Sequence, residues 1–166
     1  LVLTDESLQS FDSNFKVDPP LRTQEHIDAL IEGLKDGTID AICSDHQPFA
    51  EEKKAVEVDL APFGIVGLET VLPLCVKSLI EPGHLDWPEL IALLSTGPER
   101  ILNINKGSLH PGADADVTLI DPDVSWIIDP ADFRSQGRNT PFAGWNVSGR
   151  AQTVIVGGQV RYRSEA

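Results

Sequence analysis

The sequence predicts an α/β fold with a β-rich tail, and three observations carry that reading: an amphipathic helical pattern running straight into a short apolar stretch, a second helical segment apolar on nearly every face, and a Gly-Gly hairpin signal near the end. In the first, Ile27, Leu30, Ile31 and Leu34 recur at i, i+3, i+4 and i+7, with Thr23 placed to cap the start and Gly37 the end. The following run, Thr38-Ile39-Asp40-Ala41-Ile42-Cys43, stops at a polar cluster and suits a buried strand. Asp45 then falls just past that strand's C-terminal end.

From 65 to 80 the chain is apolar almost all round, as expected for a helix buried between layers, with Pro73 expected to bend it. Two capping boxes follow, Asp86-x-x-Glu89 and Thr96-x-x-Glu99, and predict helices through 90–94 and 100–102. The character changes at Lys106. Val117-Thr118-Leu119-Ile120 reads as a strand, and the runs 151–156 and 159–162 flank Gly157-Gly158 as a hairpin. A boundary near 105 therefore separates a βα portion, 1–105, from a small β module, 106–166. The stretch 129–149 is loop-like and long enough to return to the first portion.

A chain of 166 residues with 41% apolar content can build a core, either as one domain or as a piece of a larger one. It contains no methionine, which predicts that the polypeptide begins inside a longer product or follows processing, and we read it as a C-terminal fragment. A formal net charge of -13 argues against nucleic acid, because binding a phosphate backbone needs clustered Lys and Arg. No apolar run approaches the roughly 20 residues that span a bilayer, and the first residues lack the basic region of a signal peptide. A membrane is not expected, and the cytoplasm is the expected location. Cys43 and Cys75, without CxxC spacing, read as small reduced core residues. The triplet Asn146-Val147-Ser148 matches a glycosylation sequon but carries no weight without secretion.

Three segments are candidates for chemistry. Ser44-Asp45-His46-Gln47-Pro48-Phe49 follows a predicted strand, and a carboxylate at a strand mouth can bind a metal or move a proton. The structural alternative is that Asp45 caps the next segment and His46 hydrogen-bonds locally. In Lys16-Val17-Asp18-Pro19-Pro20-Leu21-Arg22 the paired prolines stiffen the backbone and hold flanking side chains in fixed directions. Ala61-Pro62-Phe63-Gly64 ends on a glycine that admits close backbone approach. There is no HxH, no HExxH and no cysteine cluster, so the chain by itself supplies no recognisable zinc site. Phosphate-binding loops and G-x-S-x-G elbows are absent as well.

Taken in order, 16–22, Gly37-Thr38-Ile39-Asp40-Ala41-Ile42, Ser44-Asp45-His46-Gln47-Pro48 and 60–70 closely resemble the dihydroorotases of the amidohydrolase superfamily. The resemblance continues through Lys106-Gly107, Pro111-Gly112-Ala113-Asp114-Ala115-Asp116 and Arg138-Asn139-Thr140-Pro141-Phe142-Ala143-Gly144-Trp145, so it covers nearly the whole chain. It implies the C-terminal part of a distorted (β/α)8 barrel plus a small β-sandwich module. It also implies zinc-dependent interconversion of dihydroorotate and N-carbamoyl-aspartate in pyrimidine synthesis, with Asp45 binding metal and shuttling the proton to the leaving nitrogen. The other zinc ligands would lie upstream. By position, Asp18, Phe49, Phe63 and Gly64 match substrate-contacting sites, but Asp18 replaces an asparagine and Phe49 a histidine. Three readings follow. One is a dihydroorotase with rearranged carboxylate recognition, Arg22 being available to neutralise Asp18. Another is a non-catalytic subunit that assembles with aspartate transcarbamoylase or as a homo-oligomer. The third is a hydantoinase- or allantoinase-like hydrolase of another cyclic amide.

Overall fold

The computed structural model describes residues 1–164. Two short 3-10 segments, Asp5–Ser10 and Ser13–Phe15, lead to helix α1, Gln24–Lys35. Its register is the expected one, since Ile27, Ile31 and Leu34 are buried, but Leu30 is 47% exposed and lies off the covered face. Thr23 occupies the N-cap without closing a side-chain cap; its Oγ1 lies 2.8 Å from His26 Nδ1 instead. Gly37 follows the helix with φ of 79°, the left-handed conformation that a helix end requires.

The run 38–43 departs from the sequence reading. It forms no ladder, and the one sheet-like pairing beside it is a single parallel bridge between His46 and Ile65. Its amides find partners elsewhere: Ile39 N–H donates to Gly33 O at 2.8 Å and Ile42 N–H to Leu93 O at 2.9 Å. Nor is the run buried: Ile39 and Ile42 are half-buried against the core and Thr38, Asp40 and Cys43 are exposed, because a strand is covered by its neighbours and among the described residues none flanks it. Two glycines allow it to sit close to other backbone: a side chain at Gly97 would collide with the Asp40 carbonyl, and one at Gly67 with the Ser44 carbonyl. Cys43 is exposed, not in the core, because this unpaired segment leaves it at the surface; Cys75 is buried as expected.

After the short helix α2, Glu51–Lys54, the predicted 65–80 helix begins late, as α3, Val71–Cys75, and widens into a π-helical turn, Val76–Ile80. Pro73 falls in the first turn, where its missing N–H has no intrahelical partner to lose. Asp86 and Glu89 close a complete capping box at α4, Trp87–Ile91. The second box does not form: Thr96 has helical dihedrals inside a continuous stretch that runs through a π turn, Ala92–Thr96, into α5, Gly97–Leu102. These helices enclose one core, in which Leu79 and Leu90 are wholly buried against Ile31, Val76 and Leu93.

The tail forms a three-stranded antiparallel sheet in the order β1 (Val117–Ile127), β2 (Asn146–Val156), β3 (Gln159–Arg163). The fold is thus mixed α/β. Strand β1 runs past its predicted end because a register shift between Asp121 and Ser125 absorbs Pro122. Gly157 and Gly158 turn the hairpin with φ of 56° and 75°, the pair of positive values that a two-residue type I′ turn demands. Asp116 accepts from the Gly157 N–H at 2.7 Å, and Lys106 clamps Asp114 and Asp116 at 2.6 and 2.7 Å. A second core gathers Val66, Ile128, Phe133, Phe142 and Val147, so residues from both sides of position 105 share it.

Candidate functional site

Asp45 stands at the surface with φ of 44°, an uncommon left-handed conformation that aspartate tolerates better than most residues. The amide of Gln47 donates from Nε2 to its Oδ1 at 3.0 Å. Among the described residues Oδ2 has no partner. The next residue is fully engaged. His46 Nδ1 accepts from the N–H groups of Gly67 at 3.1 Å and Leu68 at 3.3 Å, which leaves the ring hydrogen on Nε2, 3.3 Å from Ser135 Oγ. Ser135 in turn donates from both its N–H and its hydroxyl to Glu69 Oε1, each at 2.8 Å. Burial raises the Glu69 pKa, but those two bonds outweigh it and hold the carboxyl below its ordinary value. His46 therefore locks the loop locally and has no nitrogen to spare for a metal.

Asn139 gathers the rest. Its Oδ1 accepts from the Phe49 N–H at 2.8 Å, and its Nδ2 donates to the carbonyls of Gln47 at 3.0 Å and Gly64 at 3.2 Å. Lys54, buried at 6% exposure, donates to the carbonyls of Pro62 at 3.0 Å and Gly64 at 3.1 Å. Desolvation lowers its ammonium pKa. Phe63 is half exposed beneath Lys16, whose Nζ lies 4.6 Å from the ring centroid, and the Gly64 N–H donates to the Lys16 carbonyl at 2.9 Å.

The structure thus joins Asp45, Phe49, Phe63 and Gly64, with Lys16, into one connected patch. Asp18 is exposed, and no hydrogen bond or ion pair ties it to that patch among the described residues. Arg22 does not neutralise it: the guanidinium lies 3.3 Å from His26 Nε2 instead. Asn139, Lys54, Ser135 and Glu69 were not candidates from sequence. The only signal for Asn139 was a polar residue in a motif of the loop-like stretch, and nothing marked Lys54, which sits in a run of charges that reads as a solvated face. An apolar cavity of about 260 Å³ lies beside the loop, lined by Leu3, Ser44, Gly67 and Thr70 among others, but not by Asp18, Asp45, Phe49, Phe63 or Gly64. No group of three or more His, Cys, Asp or Glu residues placed to hold a metal ion occurs among the described residues.

Comparison with known proteins fixes the family. The profile of the amidohydrolase family matches residues 11–161. The chain belongs to the amidohydrolase family. It is 48% identical to the dihydroorotase of Syntrophus aciditrophicus over 98% of this chain and 38% of that protein, and 51% identical to that of Pelotomaculum thermopropionicum over 95% and 37%. Among solved structures, L-hydantoinase from Arthrobacter aurescens superposes with a TM-score of 0.90 at 31% identity, over 97% of this chain and 37% of that one. D-hydantoinase from Thermus sp. matches with a TM-score of 0.82 at 28% identity, over 91% and 34%. This dihydroorotase-related amidohydrolase chain spans about 38% of the length of its curated relative from Syntrophus aciditrophicus. No helix among its described residues is long and apolar enough to cross a membrane.

Proposed function

We propose that the protein carrying this chain is a dihydroorotase, which hydrolyses the ring amide of dihydroorotate to N-carbamoyl-aspartate and reverses the reaction. The observation that carries the proposal is 48% identity to a dihydroorotase across 98% of the chain, in a stretch that includes Asp45 and its whole hydrogen-bonded surround. Asp45 has the chemistry for proton transfer: it is exposed, held at Oδ1 and open at Oδ2. As water adds to the amide carbon, the carboxylate takes its proton; as the carbon–nitrogen bond breaks, the carboxyl returns that proton to the departing nitrogen, and the carboxylate is regenerated. Phe63 and the Gly64 backbone border the substrate in this reading. Asp45 would offer one oxygen to a zinc ion, which would lower the pKa of the water it binds; among the described residues no cluster of further ligands accompanies it, so the remaining ligands would have to come from other residues of the whole protein.

We further infer that 1–105 belongs to the last strands and helices of a distorted (β/α)8 barrel and 106–166 to a C-terminal β-sandwich segment, with 129–149 returning to the barrel. The hydantoinase likeness supports this, as do the parallel His46–Ile65 bridge and the bonds from Ser135 and Asn139 back to Glu69, Gln47 and Gly64. A second reading, hydrolysis of a less anionic cyclic amide, draws support from Asp18 and Phe49: a carboxylate without a cationic partner and an apolar ring are poor company for a substrate carboxylate. A third, a non-catalytic subunit in an aspartate transcarbamoylase assembly, predicts a folded protein without turnover. The test is one assay of the whole protein with zinc. Dihydroorotate turnover that disappears in Asp45→Asn supports the first reading, turnover of hydantoin or allantoin in its place supports the second, and none of the three substrates being consumed rejects both enzymes.

A further inference from the structure

An exposed aspartate turns freely about its side-chain bonds, so a carboxylate that must present one particular oxygen needs a second residue to hold the other. Gln47 meets that need. Its backbone is fixed on both sides, the N–H donating to Ile65 O at 2.8 Å and the carbonyl accepting from Asn139 Nδ2 at 3.0 Å, so the origin of its side chain cannot wander. From there Nε2 reaches Asp45 Oδ1 at 3.0 Å. Being neutral, the amide occupies one oxygen without cancelling the charge, and Oδ2 stays both directed and basic.

The same side chain lies along Gly64. A Cβ built there would stand 2.5 Å from Gln47 Cβ, 2.6 Å from its Oε1 and 2.8 Å from its Cδ, distances that atoms do not tolerate, and Gly64 has φ of 118°. The bare glycine surface is the wall against which Gln47 rests while it holds Asp45.

We propose that Gln47 is a positioning residue that aims Asp45, and that Gly64 acts with it by leaving the space its side chain fills. The activity part rests on the dihydroorotase reading; the contact itself does not. In the whole protein, Gln47→Met and Gln47→Glu keep the volume and remove the donor. Both are expected to lower kcat for dihydroorotate by about 10- to 100-fold while KM stays within about threefold. Gln47→Asn, too short to reach, is expected to behave as they do. Wild-type kcat in Gln47→Met and Gln47→Glu would overturn the proposal. A second measurement needs no turnover: the side-chain amide resonances of Gln47, followed by ¹⁵N NMR, are expected to shift in Asp45→Ala and again in Gly64→Ala. If they are unmoved in Asp45→Ala the proposal fails, even in an active enzyme. If the wild type consumes no dihydroorotate, the dihydroorotase reading fails, and the NMR result alone decides the role of Gln47.

Discussion

Asp45 combines two properties that rarely coincide without a reason, a left-handed backbone and an exposed carboxylate with an unpaired oxygen. Such a backbone costs a non-glycine residue on the order of 1 kcal/mol, and it persists here because the two residues that follow, His46 and Gln47, bind the loop to Gly67 and Ile65. Asp45→Asn keeps the shape and the tolerance for this conformation but removes the basic oxygen. It is expected to lower dihydroorotate turnover about 10²- to 10⁴-fold with an unchanged circular dichroism spectrum. The two thiols make a second contrast. Burial pushes the Cys75 pKa up to about 11, while Cys43 lies at the surface. Native protein at pH 8 is therefore expected to label at Cys43 only, and denatured protein at both. In the unfolded chain the Cys75 thiol ionises near pH 8.5, well before it does so in the folded one. Its contribution to stability is thus whole below that pH and is lost as pH rises toward 11. Denaturant titrations are expected to show the wild type losing on the order of 3 kcal/mol of stability relative to Cys75→Ala over that window.

At the scale of elements, the two capping boxes show what the sequence can and cannot announce. Asp86 and Glu89 form theirs because the chain reaches the helix from a turn, with Asp86 extended at ψ of 172°, and Pro88 sits in the first turn, where no N–H is needed. Thr96 cannot, because helix already precedes it. The S/T-x-x-E pattern is local, and whether a helix begins there depends on the residues before it. Asp86→Ala is accordingly expected to cost about 1 kcal/mol, read as a lowered Tm, whereas Thr96→Ala, which removes no cap, is expected to leave Tm nearly unchanged. The same distinction explains the rest of the fold reading. The period of α1 and the Gly157-Gly158 turn are encoded within a few residues and were legible. The run 38–43 was legible as apolar chain, of which Ile39 and Ile42 pack half-buried against the core, but neither its exposed residues nor its partners were, since pairing depends on segments far away in sequence. The true length of β1 was hidden by Asp121-Pro122-Asp123, a turn signal that the sheet accommodates as an irregularity.

For the whole molecule the decisive residue is Asn139, which lies 90 positions from Phe49 and 75 from Gly64 yet bonds both. It shows why a site can be half readable. The collinear motifs offered Asp45, Phe63 and Gly64 as candidates, but no local pattern reveals that a single amide in a loop-like stretch secures the backbone around them. Asn139 is 6% exposed, and its own N–H and carbonyl belong to the main chain, the carbonyl accepting from Val66 N–H at 2.9 Å. Substitution leaves that main-chain bond in place and removes the side chain alone. Asn139→Ala would strand the Phe49 N–H and weaken the hold on the Gln47 carbonyl, while the Gly64 carbonyl keeps Lys54. Each polar group left without a partner in a buried setting costs about 1–3 kcal/mol, so the sum is on the order of 3 kcal/mol, a large share of a typical domain's stability. Asn139→Asp tests the electrostatic side: it keeps the acceptor for Phe49 but turns two donations to carbonyls into repulsions, and it is expected to be no less damaging than alanine. Urea denaturation of the two variants, with hydrogen exchange at the Phe49 amide, checks both expectations. Exchange at Phe49 is expected to accelerate in Asn139→Ala beyond what the global loss of stability explains, because the amide loses its acceptor directly, and to stay closer to the global rate in Asn139→Asp, where the acceptor remains.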